Sequence, residues 1–452
     1  MRVVVFGTGR FYKKYIHRLA MCDIVILLDN NAIKQGTVID GYMVDSPNNI
    51  SKYQYDYIII LSKALEEMRE QLIKLGVPQN LIIDKEHRSS FPNIRYVEEI
   101  NAIGRLQSAK GKILLVTHAM NYTGAPLMLF NMAKILINNH YEVCVYTESW
   151  GEMTMKYLQA GIHVHKFDDF EFTESEIDKY FSQYDMIVVN TIVLFRLVHK
   201  LEYLQRPVIW WLHEEEDAYA EYHVKKEDIP EYFQLHVYGV GNRPMNAFKV
   251  FSDSGLIESL IYGIEGEQCL NFNLEKEKIT FAIIGNVCKR KAQDIFVEAV
   301  RQNCNLWKEK AKFIIVGDIT KEQRSEFEKD GLVQVTGVVD HDKMKEIYLG
   351  VDVVVCPSLH DPMPVVLAEG MMNRKVCIAS DMTGTAELIE PYHNGLVCKA
   401  GDVGSLSECI QWVIDHRDKM AEMGEHAFQT YQNHFSMEAF ERNVMEIVNQ
   451  YI

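Results

Sequence analysis

Two acidic residues, Asp361 and Glu369, stand eight positions apart in the segment HDPMPVVLAEGMMNRKVCIASDMTGTAELI. Asp361 follows the apolar run VDVVVCPS, which is typical of a buried strand, and Pro364 suits the first turn of a helix that would carry Glu369. Ligands of parallel α/β sheets bind at the carboxyl ends of the strands. Both carboxylates are therefore predicted at a binding crevice, where Glu369 can accept the two hydroxyls of a ribose. The alternative role for Asp361 is a cap of the helix at Pro364.

A second group that could do chemistry is the basic triplet Lys289, Arg290 and Lys291, which lies between the strand-like run TFAIIG and an amphipathic helical pattern. The free N–H groups of a helix N-terminus favour an anion, so a diphosphate would fit there. For the triplet taken alone, a solvated charged turn is the alternative. Gly384, in SDMTGTAELI, is predicted to allow the backbone to approach the ligand closely.

His213 ends the apolar run PVIWWLH and Glu214 follows it, and this position at the end of a strand makes both candidate site residues. A structural histidine is an equally weighted alternative for His213. The residues that follow, Glu215, Glu216 and Asp217, are interpreted as a solvated acidic turn.

Parallel α/β layers are needed to bring these groups together. The runs RVVVFGTG, KILLVTHAMNYTG and TFAIIGNV each close on a turn and precede a helical pattern, which is typical of such layers. The sequence therefore predicts an α/β fold with three Rossmann-like units. Their predicted bounds are residues 1–90, 111–270 and 271–434, with a helix-containing, strand-free connector at 91–110.

The composition excludes several classes of protein. The 452 residues carry a net charge of -16, and the pI is about 5.5, so a general nucleic-acid binder is not expected. The nine cysteines form no C-x2-C pair and predict neither a zinc site nor a disulfide framework. The first 30 residues lack the pattern of a secretion signal, and no long apolar run predicts a membrane span. A cytoplasmic location is expected.

The first unit contains a partial dinucleotide fingerprint. Gly7 and Gly9 follow a strand and Asp29 ends the next one, but Tyr12 occupies the position of the third glycine. The bulky Tyr12 would crowd a pyrophosphate, so a structural or partner-docking domain is favoured over a cofactor site. This stretch resembles the small nucleotide-binding-like domains that are appended to bacterial sugar and polysaccharide enzymes.

Several motifs in order resemble the retaining glycosyltransferases of family four. Their E-x7-E motif corresponds to the D-x7-E of Asp361 and Glu369, and their basic diphosphate clamp corresponds to KRKAQD, with Lys291 at the usual lysine. The runs GVVDHDKMKEIYLGVDVVVCPS, VTHAMNYTGAPLML and WWLHEEED are also similar. The resemblance covers about residues 112–452. It implies a GT-B fold of two facing Rossmann-like domains, completed by a helix at 435–452 that returns to the first of them.

The resemblance also implies roles for individual residues. The catalytic set is Lys291, Arg290, Asp361 and His213. The donor-binding set is Gly124, Ala125, Gly285, Lys289, Val338, Met363, Val365, Val366, Glu369 and Gly384. His213 and Glu214 would lie beside the sugar or the acceptor. Neither a metal site nor a cofactor is implied.

Three residues depart from the family pattern. Asp361 is one methylene shorter than the usual glutamate, Asn286 replaces a common arginine, and Pro364 removes an N–H group. The donor sugar is therefore left open, and the second cation of the clamp becomes either Lys289 or Arg290. The sugar contacts are expected to fall on the backbone amides of Met363, Val365 and Val366.

The implied activity is transfer of a hexose-type sugar from a nucleotide diphosphate, with UDP as the expected nucleotide and retention of configuration. The acceptor is left open among polysaccharide, lipid-linked glycan and glycoprotein. The rival functions are an epimerase or phosphorylase on the same scaffold, and a non-catalytic nucleotide-sugar-binding subunit. Membrane contact would be peripheral, at the inner face, through residues 196–206, which are equally well interpreted as a surface helix.

Overall fold

The computed structural model describes residues 2–9, 11–12, 23–62, 64–83, 98–100, 109–167, 169–266, 277–339 and 343–452. The chain divides into two units, Met1–Ile100 and Asn101–Ile452. Most of the predicted connector, residues 91–110, lies outside the described residues. Its described part contains a short strand, β7 (Glu98–Ile100), where the sequence predicts none.

The first unit is built on one sheet. The strands are β1 (Arg2–Phe6), β2 (Asp23–Leu28), β3 (Val38–Ile39), β4 (Tyr42–Asp45), β5 (Tyr57–Ile60) and β6 (Ile82–Ile83), and helix α1 spans Leu65–Lys74. The strand order is β3-β4-β2-β1-β5-β6, and only the β3–β4 pair is antiparallel. The central strand β1 is buried from Val3 to Phe6, as expected for a parallel strand covered on both faces.

The second unit begins with a parallel sheet in its amino-terminal half, defined here as residues 109–266. The strands are β8 (Lys112–Thr117), β9 (Glu142–Thr147), β10 (His163–Lys166), β11 (Met186–Asn190), β12 (Val208–Leu212), β13 (Leu235–Gly239) and β14 (Glu258–Ser259). They lie in the order β14-β13-β12-β11-β8-β9-β10. The helices are α2 (Gly124–Asn138), α3 (Thr154–Gln159), α4 (Glu174–Phe181), α5 (Phe195–Lys200), α6 (Glu216–Glu221) and α7 (Asn242–Phe251).

The carboxyl-terminal half, residues 277–434, carries a second parallel sheet. The strands β15 (Ile279–Ile284), β16 (Ala311–Val316), β17 (Val333–Gly337), β18 (Val353–Cys356), β19 (Val376–Ser380) and β20 (Leu396–Cys398) lie in the order β17-β16-β15-β18-β19-β20. The helices are α8 (Gln293–Gln302), α9 (Cys304–Trp307), α10 (Lys321–Glu328), α11 (Met344–Gly350), α12 (Val365–Met372), α13 (Val403–Asp415) and α14 (Met420–His434). The predicted α/β fold with parallel sheets is confirmed.

The last helix, α15 (Met437–Tyr451), packs against the amino-terminal half. The ring of Phe440 stacks on Trp211, with centroids 5.6 Å apart, and the ring of Tyr451 stacks on His236 at 3.8 Å. The buried side of α15 is apolar at helical spacing, which explains why it can cover this sheet. Among the described residues, no helix is both long enough and apolar enough to cross a membrane.

Candidate active site

The basic triplet lies on a tight turn at the carboxyl end of β15. Gly285 follows this strand with φ of +139°, in the region that favours glycine. A Cβ atom on Gly317, at the end of β16, would lie 2.2 Å from the carbonyl oxygen of Gly285, so the two glycines let the strand ends meet. The chain then forms a 3-10 turn, Lys289–Lys291, before α8 begins. This geometry places the cations at the edge where ligands of parallel sheets bind.

Two of the three cations converge on Asp361. The Nη1 atom of Arg290 lies 2.9 Å and the Nζ atom of Lys291 lies 2.5 Å from the same carboxylate oxygen, Oδ2. Asp361 is only 6% exposed, whereas Lys289 is exposed. Arg290 also donates to the carbonyl oxygen of His360 at 3.0 Å. Of the two candidates for the second cation, Arg290 is therefore the one that stands beside Lys291.

Helix α12 begins directly after the Asp361 loop. Pro364 is its N-cap residue and no side chain caps it, so Asp361 does not have the alternative role of a helix cap. Val365 and Val366 occupy the first turn, where backbone N–H groups have no partner within a helix. The carbonyl oxygen of Met363 accepts a hydrogen bond of 2.8 Å from the hydroxyl of Tyr262 in the amino-terminal half.

Gly384 supports this loop from the side. Its N–H group donates to the carbonyl oxygen of Asp361 at 3.0 Å. A Cβ atom at this position would lie 1.9 Å from the carbonyl oxygen of Pro362. Gly384 thus lets the backbone approach the loop that carries Asp361, and the predicted close approach to a ligand stays a prediction. Val338, just after β17, is 72% exposed.

Glu369 lies on the second turn of α12 and is bound by a residue of the neighbouring helix α11. The hydroxyl of Tyr348, on α11, donates to its Oε2 atom at 2.6 Å. Burial raises the pKa of Glu369, and the hydrogen bond from Tyr348 opposes that rise. The sequence did not single out Tyr348 as an orienting residue, since a tyrosine within an apolar helical pattern looks like a core residue.

In the amino-terminal half, helix α2 begins at Gly124 without a side-chain cap. No atom of the residues that the structure describes would lie within 4 Å of a Cβ atom on Gly124. The carbonyl oxygen of Ala125 accepts a hydrogen bond of 3.1 Å from Nδ2 of Asn190, the fully buried last residue of β11. The predicted donor-binding turn is therefore tied to the end of the neighbouring strand.

The loop after β11 is strained. Thr191 has φ of +80° and ψ of 156°, a conformation that is almost restricted to glycine. Its carbonyl oxygen accepts from the indole nitrogen of Trp210 at 2.9 Å, and its hydroxyl lies 3.3 Å from Nδ1 of His118. Burial lowers the pKa of His118. Backbone strain of this kind clusters at functional sites, but no sequence motif marks Thr191.

His213 and Glu214 lie just beyond β12. Burial lowers the pKa of His213 to about 3, so its ring is neutral at physiological pH, and its Nε2 atom has no hydrogen-bond partner among the described residues. The Oε2 atom of Glu214 accepts from the backbone N–H groups of Ile192 and His213, both at 3.0 Å. Burial outweighs these bonds and raises the pKa of Glu214 to about 7.

The interpretation of Glu215 as part of a solvated turn is wrong. Its carboxylate pairs with Arg243 at 2.5 Å and lies 3.5 Å from Nδ1 of His360 in the carboxyl-terminal half. Asp217 is exposed and lies 3.2 Å from Nε2 of the same histidine. The sequence could not reveal these contacts, because they join residues more than 25 positions apart.

In the first unit, the acid of the partial fingerprint is engaged by its own chain. Asp29 accepts a hydrogen bond of 3.0 Å from the N–H group of Thr8 and pairs with Lys34, also at 3.0 Å. Tyr12 is fully buried in the core beside β1. Among the described residues of the whole chain, no group of three or more His, Cys, Asp or Glu side chains could hold a metal ion.

Comparison with known families assigns two parts of the second unit. Residues 270–430 match the family described as glycosyl transferases group 1, and residues 109–232 match the family described as glycosyl-transferase family 4. Residues 1–83 match a family described as C2185-like, N-terminal. Alpha-D-kanosaminyltransferase from Streptomyces kanamyceticus is 25% identical over 95 residues, which make up 21% of this chain and 25% of that relative.

Solved structures agree in fold. HepE from Anabaena, in complex with UDP and glucose, aligns with a TM-score of 0.62 at 18% identity and covers 75% of this chain and 99% of its own. Sucrose-phosphate synthase from Thermosynechococcus elongatus aligns with a TM-score of 0.60 at 15% identity, with the same coverage. The predicted GT-B architecture is confirmed.

Proposed function

We propose that the protein is a retaining glycosyltransferase that moves a hexose-type sugar from UDP to a glycan, lipid-linked or protein-linked acceptor. The observation that carries this proposal is the convergence of Arg290 and Lys291 on one oxygen of Asp361, beside the uncapped start of α12. HepE, which shares the fold, was solved with UDP and glucose, and this supports UDP as the nucleotide.

The leaving group determines what the cations do. When the bond between the sugar C1 atom and the diphosphate oxygen breaks, the electron pair stays on the diphosphate, whose negative charge grows. Two cations share a single carboxylate, so one positive charge is left to stabilise that growth without a metal ion. The open N-termini of α12 and α2 add backbone N–H donors.

Retention follows from attack on the same face of the sugar. The acceptor hydroxyl forms the new bond to C1 on the side that the diphosphate leaves, and its proton passes to the departing phosphate oxygen. No side chain has to act as a nucleophile. His213, neutral because of its low pKa, can hydrogen-bond to a sugar hydroxyl.

Donor recognition divides between the two acids. Glu369, oriented by Tyr348, accepts the ribose hydroxyls, and Asp361 with the amides of Met363, Val365 and Val366 contacts the sugar. In this proposal the enzyme works in the cytoplasm, at the inner face of the membrane, in the synthesis of cell-surface polysaccharide or glycoconjugate.

A panel of UDP-hexoses tests the proposal directly. The full-length protein should bind UDP in calorimetry and slowly hydrolyse at least one of UDP-glucose, UDP-galactose and UDP-N-acetylglucosamine without an acceptor. Proton NMR at early times should detect the retained anomer. Glu369→Gln should weaken the binding of UDP and of the intact donor about tenfold or more, because a carboxylate that accepts two hydroxyls is lost.

The outcomes separate the rival functions. An epimerase would change the sugar while it stays attached to UDP, and a non-catalytic subunit would bind UDP-sugars without releasing UDP. No binding of any UDP-sugar by the wild-type protein would refute the proposed function.

A further inference from the structure

Asn190 is a buried polar residue whose side-chain nitrogen has a hydrogen-bond partner among the described residues and whose side-chain oxygen has none. It is fully buried at the carboxyl end of β11, and its Nδ2 atom donates to the carbonyl oxygen of Ala125. Its Oδ1 atom has no hydrogen-bond partner among the described residues. Buried polar atoms without a hydrogen-bond partner are energetically costly and rare, so we expect a ligand group that donates to this one.

The hydrogen bond to Ala125 determines which kind of group could bind the other polar atom of the Asn190 side chain. A carbonyl oxygen can only accept, so the amide nitrogen of Asn190 must face Ala125 and the amide oxygen must be the free atom. This oxygen also can only accept. The oxygens of an ionised diphosphate carry no proton and cannot satisfy it, whereas the hydroxyl groups of a sugar can.

The surroundings hold Asn190 in place. The next residue, Thr191, is strained and is fixed by the Trp210 indole, and Ile192 is fixed by the carboxylate of Glu214. Asn190 pairs in register with Trp211, whose ring contacts His213 with a centroid distance of 4.5 Å. Two buried atoms that lack a hydrogen-bond partner within the described part of the chain, Oδ1 of Asn190 and Nε2 of His213, thus belong to the ends of neighbouring strands.

We propose that Asn190 is a specificity-determining residue that accepts a hydrogen bond from a hydroxyl of the donor sugar. The inference rests on the proposed function and adds to it a residue that distinguishes one donor sugar from another. The bond to Ala125 assigns Asn190 to the donor, because the first turn of α2 is the part of this half expected to face the diphosphate. A site built to hydrogen-bond a hydroxyl rejects an analogue that lacks it, since its own polar group is then left unpaired.

Monodeoxy donors provide the experiment. The UDP-hexose that the full-length protein hydrolyses fastest, UDP-glucose or UDP-galactose, is compared with its 2-, 3-, 4- and 6-deoxy analogues. The wild-type protein should lose at least tenfold in kcat/KM with one analogue. In Asn190→Ala, kcat/KM with the intact donor should fall by the same factor, whereas kcat/KM with that deoxy analogue should be no lower than in the wild type. The affinity for UDP should be unchanged.

Asn131 offers a matched control. It is also buried, at 3% exposure, and its Nδ2 atom also donates to a backbone carbonyl oxygen, that of Gly263, at 2.8 Å. Asn131→Ala should lower the melting temperature but leave the discrimination among deoxy donors as it is in the wild type.

Each negative result has its own meaning. If the wild-type protein accepts every deoxy donor as well as the intact one, this inference is refuted without any variant. It is also refuted if Asn190→Ala still discriminates as the wild type does, or if its losses extend equally to UDP. Failure of the wild type to bind any UDP-hexose would instead overturn the proposed function, and this inference with it.

Discussion

Lys291 and Arg290 share one carboxylate oxygen, whereas Lys289, from the same turn, is exposed. Lys289 can therefore serve as the control residue for Lys291. Lys291→Ala should reduce kcat by a factor of about 100 to 1,000, since loss of one preorganised electrostatic donor costs about 2.7 to 4 kcal/mol in the transition state. Lys289→Ala should change kcat by less than about threefold. The rate of hydrolysis of the preferred UDP-hexose gives kcat for both variants, and thermal unfolding shows whether their stability has changed.

Equal effects of the two substitutions would contradict the assignment of the clamp. So would a normal kcat in Lys291→Ala. A large fall in melting temperature in Lys291→Ala would instead show that the cation mainly stabilises the buried carboxylate of Asp361.

Glu214 makes stability depend on pH. Its pKa is raised from 4.5 to about 7 by burial, so the folded protein holds this proton more tightly than the unfolded chain does. The contribution of this bound proton to the free energy of unfolding is fully present below about pH 4.5 and is lost as the pH rises through about 7. Glu214→Gln, which keeps an oxygen for the N–H groups of Ile192 and His213, should therefore be more stable than the wild type at pH 8 by up to about 3 kcal/mol. Urea unfolding at pH 5 and pH 8 measures the difference in unfolding free energy between Glu214→Gln and the wild type. The same difference at both pH values would contradict this prediction.

Some site residues are predictable from the sequence and others are not. Asp361 and His213 can be found from the sequence because each lies at the end of an apolar run typical of a strand, where ligands bind. Glu369 can be found because Pro364 marks the start of the helix that carries it. Asn190 also ends a strand, but a single asparagine in that position usually only closes a turn. The contacts of Glu215 cannot be predicted from the sequence, because its partners, Arg243 and His360, are distant along the chain.

At the scale of elements, a glycine holds the loop that carries Asp361. In Gly384→Ala, the new methyl group would lie 1.9 Å from the carbonyl oxygen of Pro362, so the loop or the turn must move. We expect a loss of about 1 to 3 kcal/mol in stability, in the range of overpacked sites, and a larger relative loss in turnover than in UDP affinity. Gly350→Ala, whose Cβ atom would meet no described atom within 4 Å, is the control. Urea unfolding and donor hydrolysis measure both, and a Gly384→Ala variant that behaves like the control would be inconsistent with this packing.

The strands show why part of the fold could be predicted. Long apolar runs such as Lys112–Thr117, Ile279–Ile284 and Val353–Cys356 are strands, because strands buried on both faces need apolar residues throughout. The strand His163–Lys166 was not predicted, since its sequence HVHK alternates and contains three polar residues. Two-residue strands such as Val38–Ile39 have too few residues to show any period.

At the scale of the molecule, the candidate site draws only on the second unit. Deletion of residues 1–90 should therefore leave the affinity for UDP within about threefold of the full-length value. Calorimetry with UDP on the truncated protein, after circular dichroism has shown that it is folded, gives the answer. Complete loss of UDP binding in a folded truncation would mean that the first unit contributes to the site. Titration of the full-length protein with nicotinamide and flavin cofactors would test the partial fingerprint near Gly7.

His360 contacts both the amino-terminal half and one of the two cations that pair with Asp361. Its ring lies against Glu215 and Asp217 of the amino-terminal half, while its carbonyl oxygen holds the guanidinium of Arg290. If the halves separate, we expect the contacts of the ring to break and the hydrogen bond from Arg290 to be disturbed, because all of them belong to the same residue. We therefore expect the position of Arg290 to depend on the contact between the two halves.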